Sequence, residues 1–109
     1  MRIDKSLLSG STAMLVLRLL ERGDMYGYQM IEALDKQSNN VFSLKAGTLY
    51  PLLHGLEQKG IVSSYETETE GSRTRKYYRI TEAGKKFLAE RSVEWEVFSS
   101  AVNLVMDGR

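Results

Sequence analysis

Apolar residues recur every three or four positions over the first 22 residues. Leu8, Leu15, Val16, Leu19 and Leu20 share one side of a helix running from about Asp4 to Arg22, and Gly23 follows as a stop. Asp24 is placed to cap a second helix that carries Tyr28, Ile31 and Leu34 inward and fades in the polar stretch Gln37 to Asn40. A third helix begins near Lys45 or Ala46, presents Leu49, Leu52, Leu53 and Leu56, and ends before Gly60. Pro51 interrupts it. Outside the first turn a proline removes one backbone bond and costs about 3 kcal/mol, so this helix either starts late or opens with a distorted turn. The pattern then turns to strands. Ile61 to Glu68 and Arg75 to Ile80 are rich in Ile, Val, Thr and Tyr and flank a turn containing Gly71, which predicts a β-hairpin. Thr81 caps a fourth, long helix reaching about Met106.

That last helix carries a second pattern. Leu88, Arg91, Trp95, Phe98, Val102 and Val105 alternate steps of three and four, a heptad seam broken once by Arg91, and Val93, Val97, Ala101 and Leu104 widen it. Three short helices and a hairpin offer too little surface to cover two such stripes. The expectation is a homodimer helix, the plainer alternative being packing on its own domain.

With 109 residues the chain holds one core, and a second independent domain would have almost none. The longest apolar run, Ala13 to Leu17, is far below the roughly 20 residues of a membrane span. Nothing after Met1 resembles a secretory signal. The absence of cysteine removes disulfides and thiolate metal sites and suits a cytoplasmic protein. A single histidine, His54, rules out a His-rich metal cluster and has no carboxylate or nucleophile beside it. The expectation is therefore a non-enzyme with no catalytic, metal or cofactor residues.

The net charge of +1 is uninformative, but its distribution is not. From Glu70 to Arg79, Arg73, Arg75, Lys76 and Arg79 face one acidic residue. A local basic run on a near-neutral chain fits a phosphate contact, although a solvated hairpin edge kept free of aggregation has the same composition.

Three helices followed by a hairpin give the winged helix-turn-helix plan, whose third helix enters the DNA major groove. The fold class is α+β, mainly α. Residues 1–81 form the DNA-binding unit and 82–109 the dimerisation helix. On a helix started near Ala46, Thr48, Tyr50, Pro51 and His54 point outward. The hydroxyls of Thr48 and Tyr50 suit phosphates or base edges, and Pro51 suits a thymine methyl. Tyr50 is equally placed to be half-buried packing, and His54 to be an ordinary surface histidine. The amides near Tyr26 to Tyr28 open a helix and form an anion site, with Gln29 as an added donor; Tyr28 is equally placed to be core. Arg73, Arg75 and Lys76 are charge donors to phosphate or the minor groove. Tyr77 and Tyr78 alternate faces, so one is core.

Three segments carry a family resemblance. Gly47-Thr48-Leu49-Tyr50-Pro51-Leu52-Leu53-His54-Gly55-Leu56-Glu57-Gln58-Lys59-Gly60 resembles the recognition-helix signature of the PadR family of transcriptional regulators. Tyr26-Gly27-Tyr28-Gln29 is similar to the start of its second helix, and Gly71 to Thr81 to its wing with paired tyrosines. The resemblance spans nearly the whole chain and implies a dimeric repressor that binds a double-stranded DNA operator. It leans toward Tyr77 as the tyrosine near DNA. Two positions depart from the pattern: relatives often carry a basic residue where Gly55 stands, and a proline where Thr74 stands.

The resemblance also gives Trp95 a second reading. Alone, it is an aromatic anchor in a dimer interface. In multidrug-sensing relatives a tryptophan at this point of the last helix sandwiches a small flat aromatic effector with its two-fold mate. Leu7, Ser11, Met14 and Arg18, spaced along one helical face, would then line the cavity from the partner chain. The reading from another class is a winged-helix protein-docking module that binds no DNA.

Overall fold

The computed structural model describes residues 3, 5–69, 71 and 73–108, without the side chains of Lys5 and Ser6. The predicted helix start at Asp4 and the Glu70 and Ser72 positions of the hairpin turn lie outside the described residues. The described elements are α1 (Lys5–Leu8), α2 (Thr12–Arg22), β1 (Met25–Tyr26), α3 (Gly27–Gln37), α4 (Ala46–Gln58), β2 (Val62–Glu68), β3 (Thr74–Ile80) and α5 (Glu82–Met106). The α+β, mainly α winged-helix plan predicted from the pattern is the one observed.

The first predicted helix is two helices. The Leu8 carbonyl accepts from the Ser11 amide, the Ser11 hydroxyl and the Thr12 hydroxyl at 3.0, 3.1 and 2.9 Å, closing α1 and opening α2. Ser and Thr side chains compete with helical bonds in this way. The apolar spacing runs across the break, so periodicity alone does not reveal it.

Asp24 does not cap α3. The N-cap residue is Tyr26, whose amide donates to Gln29 Oε1 at 3.1 Å. The inward face of α3 is Met30 and Leu34, with Ile31 half-buried, and Tyr28 points out at 61% exposure. α3 starts at Gly27, two residues later than an Asp24 cap would start it, and its buried side runs through Gly27, Met30 and Leu34, which leaves Tyr28 facing solvent.

Helix α4 contains Pro51 in its interior rather than its first turn. It ends in a Schellman motif. Gly60 takes φ 75°, its amide donates to the Glu57 carbonyl, and the Ile61 amide donates to that of Leu56 at 2.9 Å. The chain then enters the sheet, whose order is β1-β3-β2, all antiparallel. The two-residue β1, absent from the sequence reading, pairs Met25 with Tyr78 and Tyr26 with Tyr77.

The core lies between α2, α3, α4 and the inner face of the sheet. Val16, Leu17, Leu20, Met30, Leu49, Leu53, Val62 and Tyr78 are buried there. Thr81 caps α5 as expected, its hydroxyl oxygen accepting from the Gly84 amide at 3.0 Å. Gly84 sits directly on the chain at Ile61, where a Cβ would stand 2.1 Å from the Ile61 carbonyl oxygen. Beyond Leu88, α5 leaves the core. Val93, Trp95, Val97, Phe98, Val102, Leu104, Val105 and Met106 are all exposed. The radius of gyration, 15.5 Å, exceeds the roughly 13 Å of a compact chain this long, as a projecting helix requires.

Candidate nucleic-acid interface

The outer face of α4 carries Thr48, Tyr50, Pro51 and His54, all exposed, while Leu49, Leu53 and Leu56 face the core. Heptad-like spacing of the leucines explains the split: residues between them must point away. Tyr50 is 46% exposed because its ring crosses to α3 and rests on Gly27. A Cβ at Gly27 would stand 2.3 Å from the Tyr50 hydroxyl oxygen, so only glycine admits this contact. Tyr50 thus joins the outer row of α4 to the start of α3, where Tyr28 and Gln29 are also exposed. The packing reading of Tyr50 describes its contact with Gly27, and the rest of the ring is open to solvent. Gln29 already uses its carbonyl oxygen on the Tyr26 amide, which leaves its NH2 group as the outward donor.

The wing divides its cations between two faces. Side chains alternate along a strand, and register puts Tyr77 and Arg75 on the outer face with Tyr26 and Tyr65. The Arg75 guanidinium lies 4.5 Å from the Tyr26 ring centroid. Tyr26 meets Tyr77 edge-on at 5.4 Å, and Tyr77 stacks on Tyr65 at 5.7 Å with 13° between planes. Tyr78 is the core tyrosine and Tyr77 the half-buried outer one.

Lys76, named with Arg73 and Arg75 as a charge donor, takes the opposite face of β3 from Arg75. It lies on the inner face, 5.5 Å from the Tyr78 ring centroid and 3.8 Å from Glu57 of α4. Ser64 donates to the other oxygen of the same carboxylate. Its charge is therefore partly matched within the domain, but its side chain stays half exposed, and Arg73, Arg75 and Arg79 are exposed as well. The Tyr50–Gly27 contact links the outer row of α4 to the start of α3, and the Arg75–Tyr26 and Tyr26–Tyr77 contacts link the wing to it; Tyr28, Gln29, Thr48, Pro51, His54 and Arg73 are exposed.

Tyr65 and Asp24 were not anticipated at this surface. The Tyr65 hydroxyl donates to Asp24 Oδ2 at 2.7 Å. That bond to the carboxylate, followed by burial, holds the phenol above its ordinary value near 10. A raised acid favours folding below its ordinary value and loses that contribution only as pH rises through the folded one, so the bond is intact throughout the neutral range. Nothing in the pattern links residues 41 positions apart in sequence, since only the sheet order brings them together.

A second feature sits at the other end of the molecule. A cavity of about 640 Å³ lies between the α1–α2 junction and α5, within the size range of small-molecule sites. Leu7, Ser11, Met14 and Trp95 line it, all from one chain. Arg18 lies outside the lining and pairs with Glu21 one turn along α2. The charged lining residues are instead Arg91 and Glu94, 3.7 Å apart, with Phe87 and Phe98 as the aromatic walls beside Trp95. Positions 87, 91, 94 and 98 form one helical stripe, a signal the sequence does carry.

These features can be set beside known proteins. Residues 16–90 match the model of the transcriptional regulator PadR-like family. The fold superposes on a transcriptional regulator from Clostridium thermocellum with a TM-score of 0.86 at 32% identity, covering 93% of this chain and 95% of that one. A PadR family transcriptional regulator from Eggerthella lenta gives 0.84 at 35% identity, covering 95% and 88%. The transcriptional regulator YqjI of Escherichia coli is 26% identical over 85% of this chain, which spans 43% of that longer protein.

Proposed function

The chain belongs to the PadR-like family of transcriptional regulators, and from that premise we propose that it is a dimeric repressor that binds operator DNA and releases it to a small aromatic effector. One observation carries the DNA-binding part. The outer row of α4, the start of α3 and the Arg75 side of the wing form a single surface, joined by the Tyr50–Gly27 and Arg75–Tyr26 contacts. Thr48, Tyr50, Pro51 and His54 enter the major groove. The first-turn amides of α3 with Gln29 and Tyr28 take a backbone phosphate, and Arg73, Arg75 and Tyr77 meet the flanking backbone or minor groove. Two such heads on a two-fold axis read half-sites one helical turn apart, about 34–36 Å. Bound there in the cytoplasm, the protein excludes polymerase.

The exposed apolar stripe of α5 supports the dimer, and the cavity beside Trp95 supports the effector site. Flat aromatic molecules suit its Phe87, Trp95 and Phe98 walls, and Met14 adds an adaptable surface. Pairing α5 across a two-fold axis would close the open side of this cavity.

The test is a salt titration of binding to a labelled duplex of about 30 base pairs. Phosphate contacts from two heads give a log affinity that falls steeply and linearly with log salt. A protein-docking module would bind the duplex weakly at every salt concentration, and that outcome would sink the repressor reading.

A further inference from the structure

We propose that Asp24 and Tyr65 form a strap that positions the wing for DNA, although neither is among the residues assigned to contact nucleic acid. The inference rests on the DNA-binding reading above. β1 is two residues long and holds the sheet to the α2–α3 corner through only two residue pairs. So short a ladder is marginal by itself. Tyr65 lies on β2, the far strand, and Asp24 immediately precedes β1. Their 2.7 Å hydrogen bond therefore spans the full width of the sheet over β3.

Between its ends the strap presses a row of contacts together. The Tyr65 ring lies flat on Tyr77, Tyr77 meets the edge of Tyr26, and Tyr26 carries Arg75. Tyr26 is also the N-cap residue of α3. Wing and reading helices thus share one joint, and the strap fixes its angle. On the inner face, Glu57 of α4 holds Ser64 and Lys76. The hairpin is consequently gripped on both faces, with the outer grip alone reaching β1. Asp24 and Tyr65 are both exposed, so the bond adds little to global stability. Its effect falls on local geometry, that is, on where Arg75 and Arg73 stand when the duplex arrives.

The experiment uses the full chain and a labelled mixed-sequence duplex of about 30 base pairs at low salt. Tyr65→Phe and Asp24→Ala are each expected to weaken binding roughly threefold to tenfold, the loss of one charge-assisted hydrogen bond. The double variant should be no weaker than the worse single, because both remove the same interaction. Asp24→Asn keeps an acceptor and sheds a negative charge, so it should bind at least as tightly as the parent. In an Arg73→Ala/Arg75→Ala background Tyr65→Phe should add no further loss, whereas a merely structural role would add the same loss again. Tyr65→Phe with unchanged affinity, or a loss that persists without the wing arginines, overturns the strap. Amide exchange at Met25 separates the two readings. Faster exchange in Tyr65→Phe upholds the strap's hold on β1, and unchanged exchange removes it. A parent protein that binds no duplex overturns the DNA reading and, with it, the strap's purpose.

Discussion

Gly27 and Gly84 are both buried, yet they keep different things in place. A Cβ at Gly84 would stand 2.1 Å from the Ile61 carbonyl oxygen and 2.7 Å from Ile80 Cγ1. Backbone on that side cannot turn away, so Gly84→Ala must push α5 off the sheet. The expected cost is about 1–3 kcal/mol, with a fall in Tm of roughly 4–8 °C for each kcal/mol. At Gly27 the obstacle is the tip of the Tyr50 side chain, which is already half in solvent and can swing out. Gly27→Ala should therefore leave Tm within a few degrees while weakening duplex binding about tenfold, a loss of one positioned contact. Thermal melts and anisotropy titrations on the two variants separate the roles. A large Tm loss in Gly27→Ala with unaltered duplex affinity would mean that Tyr50 is packing only. Lys76 teaches the related lesson that a cation in a basic run belongs to whichever face the pleat gives it: one residue along from Arg75, it sits beside Glu57 with its side chain still half in solvent.

At the scale of elements, α4 holds a conflict that favours function over stability. Pro51 lies inside the helix, so the Gly47 carbonyl has no partner amide one turn on, and the proline ring crowds that carbonyl. Pro51→Ala is expected to stabilise the domain by about 1–3 kcal/mol, raising Tm, and to weaken DNA binding through loss of the apolar contact and of the opened turn. Chemical denaturation gives the first quantity and duplex titration the second; a destabilised Pro51→Ala would show that the proline is built into the packing. The hairpin, α4 and α5 were legible in the sequence because each has a clean period and a strong stop: Gly60, Gly71 and Thr81. The outward row of α4 followed from the same period. The α1–α2 break was not legible, because Ser11 and Thr12 end one helix and begin another without disturbing the apolar spacing. β1 was not legible either. Two residues have no period, and Met25-Tyr26 becomes a strand only because β3 lies beside it. The same dependence on tertiary pairing hid the Asp24–Tyr65 contact and the late start of α3.

The whole molecule extends 59 by 31 by 21 Å, and its long axis belongs to a helix with an uncovered apolar stripe. Trp95, Phe98, Val102 and Val105 continue the seam outward from buried Leu88, a pattern that a second copy of the same helix would bury. Val102→Asp, distant from the cavity lining, should convert a dimer to a monomer in sedimentation equilibrium and leave the winged unit folded by circular dichroism. An unchanged mass would remove α5 from the interface. In the proposed dimer, the cavity would also bear on DNA binding. Both cavity and seam use Trp95 and Phe98, so a ligand wedged there would alter how two paired α5 helices meet, and α5 packs on the chain at Ile61 and Ile80 through Gly84. On the proposed reading, a small change in crossing angle would be carried along the helices into the spacing of the two heads. Such coupling is reciprocal. If a flat aromatic compound quenches Trp95 fluorescence saturably, adding duplex should weaken that binding by the same factor by which the compound weakens duplex binding, typically about 5- to 150-fold. Trp95→Ala should abolish the response to the compound and retain duplex binding, provided it remains dimeric. Two ligands that bind with full thermodynamic independence would leave the cavity a packing defect beside the dimer seam, and the signal that releases the DNA would have to enter elsewhere.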